Sequence, residues 1–381
     1  MKYYIIAGEA SGDLHGSKLM EALREKDDKA QIRFWGGDLM QQAGGVLVKH
    51  YKILAFMGFW EVITHLGTIL KNIKFCKKDI SQFQPDVIIY IDYPGFNLRI
   101  AKWAKQQGFK NHFYISPQVW AWKENRVHQM KKDLDALYVI LPFEKDFFEN
   151  KHQFKVEFVG HPILDILSKR KKSKNFIKHN ELSDKANLIA VLPGSRKQEI
   201  KKMLPIFIKV SALFPQHEFV LAGAPGIDLE WYQKFFGKEK IKIVQNKTHE
   251  LLLHAKAALV SSGTATLETA LLNVPQVVCY RSSFLTYQIA KWLVKLKYIS
   301  LVNLILDREV VKELIQKEFN VKEVAQHLEY ALSEIGQKKL KQDYEELRTI
   351  LGAGGASKKT AQHIINALFY LNNGKTQKLI N

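Results

Sequence analysis

Asp92 closes the apolar run Val87–Ile91 and precedes Pro94 in the stretch Ile91–Asn97, Ile-Asp-Tyr-Pro-Gly-Phe-Asn. A carboxylate at the end of a strand, against an apolar wall, is placed to act as a general base. Tyr93 and Asn97 can orient it, and Asn97, like Ser11 in the loop Gly8–Gly16, can contact the substrate. The Asp-x-Pro pattern equally suits a turn with a capping carboxylate, so the residues alone leave both roles open. A second group of polar residues, Glu9, Ser11, Asp13 and His15, crowds the small-residue stretch Gly8–Gly16. Small residues admit a substrate closely, and Glu9 or His15 can take or relay a proton. His15 can also simply cap the helix expected from about Ser17.

A different chemistry is written in Ala257–Arg281. An apolar run is followed by Ser261-Ser262-Gly263, then by helical spacing from Thr264 to Leu272, then by Pro275 and a β-rich run. A strand that turns sharply into a helix leaves the first-turn N–H groups free, and the helix dipole favours an anion there. Ser262, Gly263 and Thr264 thus suit a diphosphate. Glu268, one turn further, can accept two hydrogen bonds from a vicinal diol such as a ribose. The pairing points to a nucleotide diphosphate, although any strand-to-helix corner asks for similar residues. Ser195 and Arg196 end another apolar run, where a guanidinium fork matches a phosphate. In Ser300–Gln316, Asn303, Glu309, Glu313 and Gln316 offer groups that can read a base edge or a sugar hydroxyl.

The elements around these residues repeat one grammar. Tyr3–Gly8, Ile32–Trp35, Val87–Ile91, His112–Ser116, Ala136–Leu141 and Phe158–Val159 read as strands of a first α/β domain, residues 1–165. The lysine-rich stretch Leu167–Lys185 reads as a linker or a domain edge. Leu188–Leu192, Phe219–Ala222, Ile241–Val244, Ala257–Val260 and Gln276–Tyr280 repeat the pattern in a second domain, residues 186–310. Two Rossmann-like, doubly wound domains facing a central cleft are expected, with ligands beyond the carboxyl ends of the strands. Residues 311–381, including Lys-Glu-Leu-Ile-Gln-Lys-Glu-Phe at 312–319, read as a helical tail packing across both domains.

The chain of 381 residues carries a net charge of +19, and 46% of it is hydrophobic, enough for sizeable cores. Such a charge suits polyanionic partners, whether nucleic acid, anionic lipid or phosphorylated substrates, and equally a lysine-covered solvated surface. No nucleic-acid-binding module is visible, and a passive nucleic-acid binder would leave Asp92 and Glu9 without a role. Two cysteines and 13 histidines show no metal-ligand spacing, so a site without metal or other cofactor is expected. No apolar run approaches the roughly 18 residues of a spanning helix, which points to the cytoplasm. Phe56, Met57, Phe59 and Trp60 open an amphipathic, lysine-rich segment, and residues 284–299 form another. Each suits either a bilayer surface or an ordinary core-facing helix.

The ordered set AGEASGDLHG, IDYPGFN, SPQVWAWKENR, LPFEK, VGHPILD, LPGSR, SSGTATLE and SLVNLILDREVVKELIQ, from residue 7 to about 316, resembles the lipid-A-disaccharide synthases. The resemblance implies a GT-B fold and an inverting glycosyltransferase. The implied reaction moves 2,3-diacylglucosamine from UDP-2,3-diacylglucosamine to the 6-hydroxyl of 2,3-diacylglucosamine 1-phosphate. It further implies a UDP site at Ser195, Arg196, Gly263, Thr264 and Glu268, a base at Asp92, no metal, a peripheral place on the inner membrane, and a homodimer. Val302 departs from the family pattern, which has proline before Asn303. Other UDP-sugar enzymes of GT-B type, of the peptidoglycan glycosyltransferase or epimerase kinds, would share the Gly263–Glu268 arrangement but not the ordered first-domain motifs.

Overall fold

Runs of β-branched and aromatic residues build two parallel sheets in the computed structural model, which describes residues 1–53, 66–183, 187–237, 241–282 and 296–377. The first sheet holds β1 (Lys2–Ala7), β2 (Gln31–Gly36), β3 (Val46–His50), β4 (Val87–Ile91), β5 (Asn111–Tyr114), β6 (Ala136–Val139) and β7 (Glu157–Phe158). Its order is β3-β2-β1-β4-β5-β6-β7. The second holds β8 (Asn187–Leu192), β9 (His217–Gly223), β10 (Lys242–Gln245), β11 (Ala255–Ser261), β12 (Gln276–Tyr280) and β13 (Lys312–Ile315), in the order β10-β9-β8-β11-β12-β13. Both are doubly wound, and each reverses its strand order once, between β1 and β4 and between β8 and β11.

Period-two alternation sends side chains to both faces of each sheet. In β1, Tyr4 and Ile6 join a core with Trp35, Ile88, Tyr90 and Phe113, while Tyr3, Ile5 and Ala7 join another with Phe34, Ile89 and Ile91. The second sheet divides likewise: Ile189 and Val191 pack with Leu204 and Phe207, and Leu188 and Ala190 with Leu251 and Leu252.

The chain forms two compact units, Met1–Pro162 with Gly354–Asn381, and Ile163–Ala353. Of the two readings of Leu167–Lys185, the domain edge holds: Phe176, in the helix Phe176–His179, is 2% exposed and part of the second unit's core. Two expectations change. The tail is not wholly helical, because Lys312–Ile315 is β13 and pairs with β12. The tail is also divided. Residues 311–353 stay with the second unit, whereas the helix Ala356–Gln377 returns to the first, where Ala361, Ile364 and Leu368 pack in the β1 core.

Gly8–Gly16 is helix for most of its length, since the helix spans Ala10–Arg24 rather than starting near Ser17. Its glycines serve close packing. A Cβ on Gly12 would lie 3.1 Å from that of Ala7, and one on Gly16 would lie 2.6 Å from Met40 Sδ. Glycine at both places lets the helix pack close against β1 and the helix Asp38–Gln42.

Candidate active site

At the first switch point, β1 ends at Gly8-Glu9 and β4 ends at Asp92-Tyr93. Asp92 and Tyr93 both hold left-handed backbone, with φ of 46° and 49°, and Ile115 beyond the neighbouring strand β5 has φ of 66°. Three non-glycine residues in that region along one sheet edge mark stored strain, which collects where function needs a side chain aimed. The Tyr93 ring fills the space over Gly8, where a Cβ would lie 2.3 Å from it. Asp92 is half-buried. Burial, reinforced by the charge of Glu9, raises its pKa to about 6, against the opposing effect of a Tyr93 N–H.

Asn97, expected to touch substrate, turns inward instead. It is fully buried, and its Nδ2 donates to the carbonyls of Asp92 at 2.7 Å, Ile6 at 3.3 Å and Ile91 at 3.4 Å. One amide therefore ties the ends of β1 and β4 together and fixes the Asp92 turn. Asp13 is likewise structural: its carboxylate accepts from the N–H groups of Gly37, Leu39 and Met40 and caps the helix Asp38–Gln42. Glu9 takes the N-cap position of Ala10–Arg24, with exposed Ser11 in the first turn. His15, half-buried on that helix, is near enough to His161 to act on it electrostatically. His161 was legible only as part of Gly-His-Pro. It is 6% exposed, and burial first, with His15 second, pushes its pKa down to about 3.

At the second switch point, β8 runs into Pro193-Gly194-Ser195-Arg196 and β11 into Ser262-Gly263. Ser195 and Arg196 are exposed, and Arg196 Nη1 lies only 3.7 Å from Glu199 in an open ion pair. Gly263 has φ of 150° and no side chain to cap the helix Thr264–Leu271, and Thr264 beside it is exposed. A Cβ on Gly263 would meet nothing within 4 Å, so space over the turn is open. Glu268 is half-buried and its Oε2 lies 2.8 Å from His249 Nε2, a partner the spacing did not reveal. The Ser262 hydroxyl donates to the Ile299 carbonyl at 2.8 Å, which makes it a brace of the turn.

That brace leads to Glu313. Its carboxylate accepts from Ile299 N and Ser300 N at 2.9 Å, and from Ser300 Oγ and Asn303 Nδ2 at 2.8 Å. Asn303 also donates to the Val311 carbonyl and accepts from Val310 N and Val311 N. Fully buried and spent on these bonds, Asn303 holds the loop rather than a substrate. Val302 is buried beside it in the helix Leu301–Leu306. Phe56, Met57, Phe59 and Trp60 lie outside the described residues.

Two doubly wound parallel sheets, each with its polar loops gathered at the point where strand order reverses, define a GT-B type protein. The fold matches the UDP-GlcNAc 2-epimerase of Neisseria meningitidis, solved bound to UDP-GlcNAc, with a TM-score of 0.69 at 12% identity, covering 96% of this chain and 100% of that one. It also matches the calicheamicin glycosyltransferase CalG4, with a TM-score of 0.59 at 15% identity, covering 97% of this chain and 98% of that one. The lipid-A-disaccharide synthetase family model matches residues 3–367. Among curated relatives, the lipid-A-disaccharide synthase of Syntrophus aciditrophicus (strain SB) is 35% identical over 94% of this chain and 95% of its own. Lipid-A-disaccharide synthase 1 of Legionella pneumophila (strain Paris) is 36% identical over 88% and 89%. The chain belongs to the lipid-A-disaccharide synthase family, and is thus a hexosyltransferase of lipid A biosynthesis.

Proposed function

We propose that this chain transfers 2,3-diacylglucosamine from UDP-2,3-diacylglucosamine to the 6-hydroxyl of 2,3-diacylglucosamine 1-phosphate in a single inverting displacement. The observation that carries the reading is the carboxylate of Asp92, held by a strained turn at the switch point with its pKa raised to about 6. Such a group is ionised at neutral pH yet basic enough to take a proton. Asp92 accepts the proton of the acceptor 6-hydroxyl as that oxygen bonds to the anomeric carbon. The bond from that carbon to the diphosphate oxygen breaks on the opposite face, and its electron pair leaves with UDP. Glu9 sustains the basicity of Asp92 and, with His15, passes the proton onward.

On the second unit, Ser195, Arg196 and the backbone of Gly263–Thr264 receive the diphosphate, and Glu268 the ribose. Donors aimed at the leaving charge supply the electrostatic term that usually dominates such catalysis. The weak engagement of Arg196, 68% exposed beside Glu199, leaves its guanidinium available for a phosphate. Arg196→Ala is expected to weaken UDP binding about 10-fold or more, the loss of one charge-assisted contact. Isothermal titration with UDP measures this, and unchanged affinity removes the contact.

Among the described residues no helix is long and apolar enough to cross a membrane. The substrates are acylated and anionic, so a chain of net charge +19 is proposed to work peripherally at the inner-membrane surface, and as a homodimer. Phe56→Ser with Trp60→Ser should reduce flotation with anionic vesicles several-fold. Undiminished flotation assigns those residues to a core. Chain mass from light scattering checks the dimer.

A further inference from the structure

The loop that leaves β5 and the first residue of the helix after it carry two cations, Lys123 and Arg126, that no carboxylate among the described residues balances. Trp120 is pinned within it: its Nε1 donates to Glu144 at 3.1 Å, and its ring meets Phe143 edge-on at 4.8 Å. Ala121 is buried behind it. The next residues are thereby pushed outward. Trp122 is 45% exposed, Lys123 Nζ stands 4.3 Å from the centre of its ring, and Arg126 Cζ stands 5.8 Å from it. Lys123 adopts φ of 58°, a left-handed conformation unusual for a lysine.

Some cations of this unit do have acidic partners: Arg33 has Asp79, Lys105 has Asp135, and Lys151 has Glu124. Glu124, the loop's own carboxylate, is turned away to Lys151 and His152. Among the described residues no carboxylate lies within ion-pair distance of Lys123 or Arg126. Two like charges gathered on one indole repel each other, and Arg126 opens the helix Arg126–Asp133, where the dipole disfavours a cation. Burial and then Arg126 lower the pKa of Lys123, which is the electrostatic trace of that crowding. An anion placed between them relieves both terms.

The position says which anion. β4 and β5 run parallel with Ile91 beside Tyr114, so Asp92 and this loop emerge from adjacent strands on one sheet edge. In a hexopyranose the carbon that bears C6 and the anomeric carbon both flank the ring oxygen, so a hexose whose 6-hydroxyl reaches Asp92 holds its anomeric substituent within one sugar ring of that carboxylate, along the same sheet edge. We infer that Lys123 and Arg126, set around Trp122, bind the 1-phosphate of the acceptor and so select a glycosyl phosphate monoester over its neutral counterpart. Such a monoester carries between about one and a half and two negative charges at neutral pH, enough to engage both side chains. This assignment rests on the proposed reaction and names the part of its acceptor that the first unit recognises.

The test compares 2,3-diacylglucosamine 1-phosphate with 2,3-diacylglucosamine as acceptors in detergent micelles, with UDP-2,3-diacylglucosamine as donor. Wild-type protein should prefer the phosphorylated acceptor in kcat/KM. Lys123→Gln with Arg126→Gln should cut that preference about 10- to 100-fold, with little change for the neutral acceptor or in UDP affinity. The exchange Lys123→Arg with Arg126→Lys should restore it, which a general loss of folding would not allow. A double glutamine variant with intact preference overturns the assignment, and so does one that loses only vesicle binding, which would make the pair a bilayer contact. Absence of disaccharide from wild-type protein with either acceptor would instead reject the underlying reaction.

Discussion

Asp92→Asn lowers kcat by at least about 100-fold, within the range general-base removal produces, while the affinity for UDP stays unchanged. The amide keeps the size of the side chain and the strained turn, whose anchor is the Asn97 bond to the Asp92 carbonyl rather than to its carboxylate. The wild-type profile of kcat/KM should rise with pH through an apparent pKa near 6, and the variant should lack that limb. Stability carries the opposite sign. An unfolded aspartate titrates near 3.9, so between about pH 4 and pH 6 the folded protein holds the proton more tightly. The stabilisation that this proton binding confers is present at low pH and lost as pH rises through about 6. At pH 8 the inactive Asn variant should therefore be at least as heat-stable as wild type. A variant with near-normal turnover takes the base role from Asp92, and an equally inactive variant with a collapsed melting temperature makes the residue structural.

Glu313→Leu should produce the largest stability change. It leaves four donors, Ile299 N, Ser300 N, Ser300 Oγ and Asn303 Nδ2, without their acceptor in a site where Glu313 is only 7% exposed. At about 1–3 kcal/mol for a buried unsatisfied group, partly recovered by relaxation, the cost should reach at least about 3 kcal/mol. For a unit of this size that lowers the melting temperature by roughly 6–12 °C. UDP affinity should fall as well, because the Ile299 carbonyl, held in place through the Ile299 and Ser300 N–H bonds to Glu313, is what holds Ser262 beside Gly263. Glu309→Gln is the control. Its Lys312 partner is an exposed ion pair, and the change should stay within about 0.5 kcal/mol. Calorimetry on both variants decides the matter, and equal melting temperatures would deny Glu313 its anchoring role.

The sequence made the strands legible wherever β-branched residues formed an unbroken run, as in Val87–Ile91 and Gln276–Tyr280, because strands buried on both faces must be apolar throughout. β13 escaped for the converse reason: four residues, two of them charged, carry no period, and only pairing with β12 makes them a strand. The helix Ala10–Arg24 was obscured by glycines whose purpose is approach to Ala7 and Met40, a relation between segments far apart in the chain. Site residues divide along the same line. The place of Asp92, Gly263 and Arg196 just after a strand was readable from the apolar runs that precede them. Asn97 and Asn303 looked like ligand contacts because an amide near a site suggests one, yet their donors are consumed by acceptors that the topology brings in, the Ile6 carbonyl for Asn97 and the Val311 carbonyl and Glu313 carboxylate for Asn303. The final helix was read as helix, but its return to the first unit rests on distant contacts such as Tyr114 with Ser357, which no local pattern encodes.

The most direct measurement is mass spectrometry of the products formed from UDP-2,3-diacylglucosamine and 2,3-diacylglucosamine 1-phosphate with excess chelator present. A tetra-acyl disaccharide monophosphate together with UDP is the expected result. Folded protein that binds UDP and yields neither product would contradict the proposed reaction.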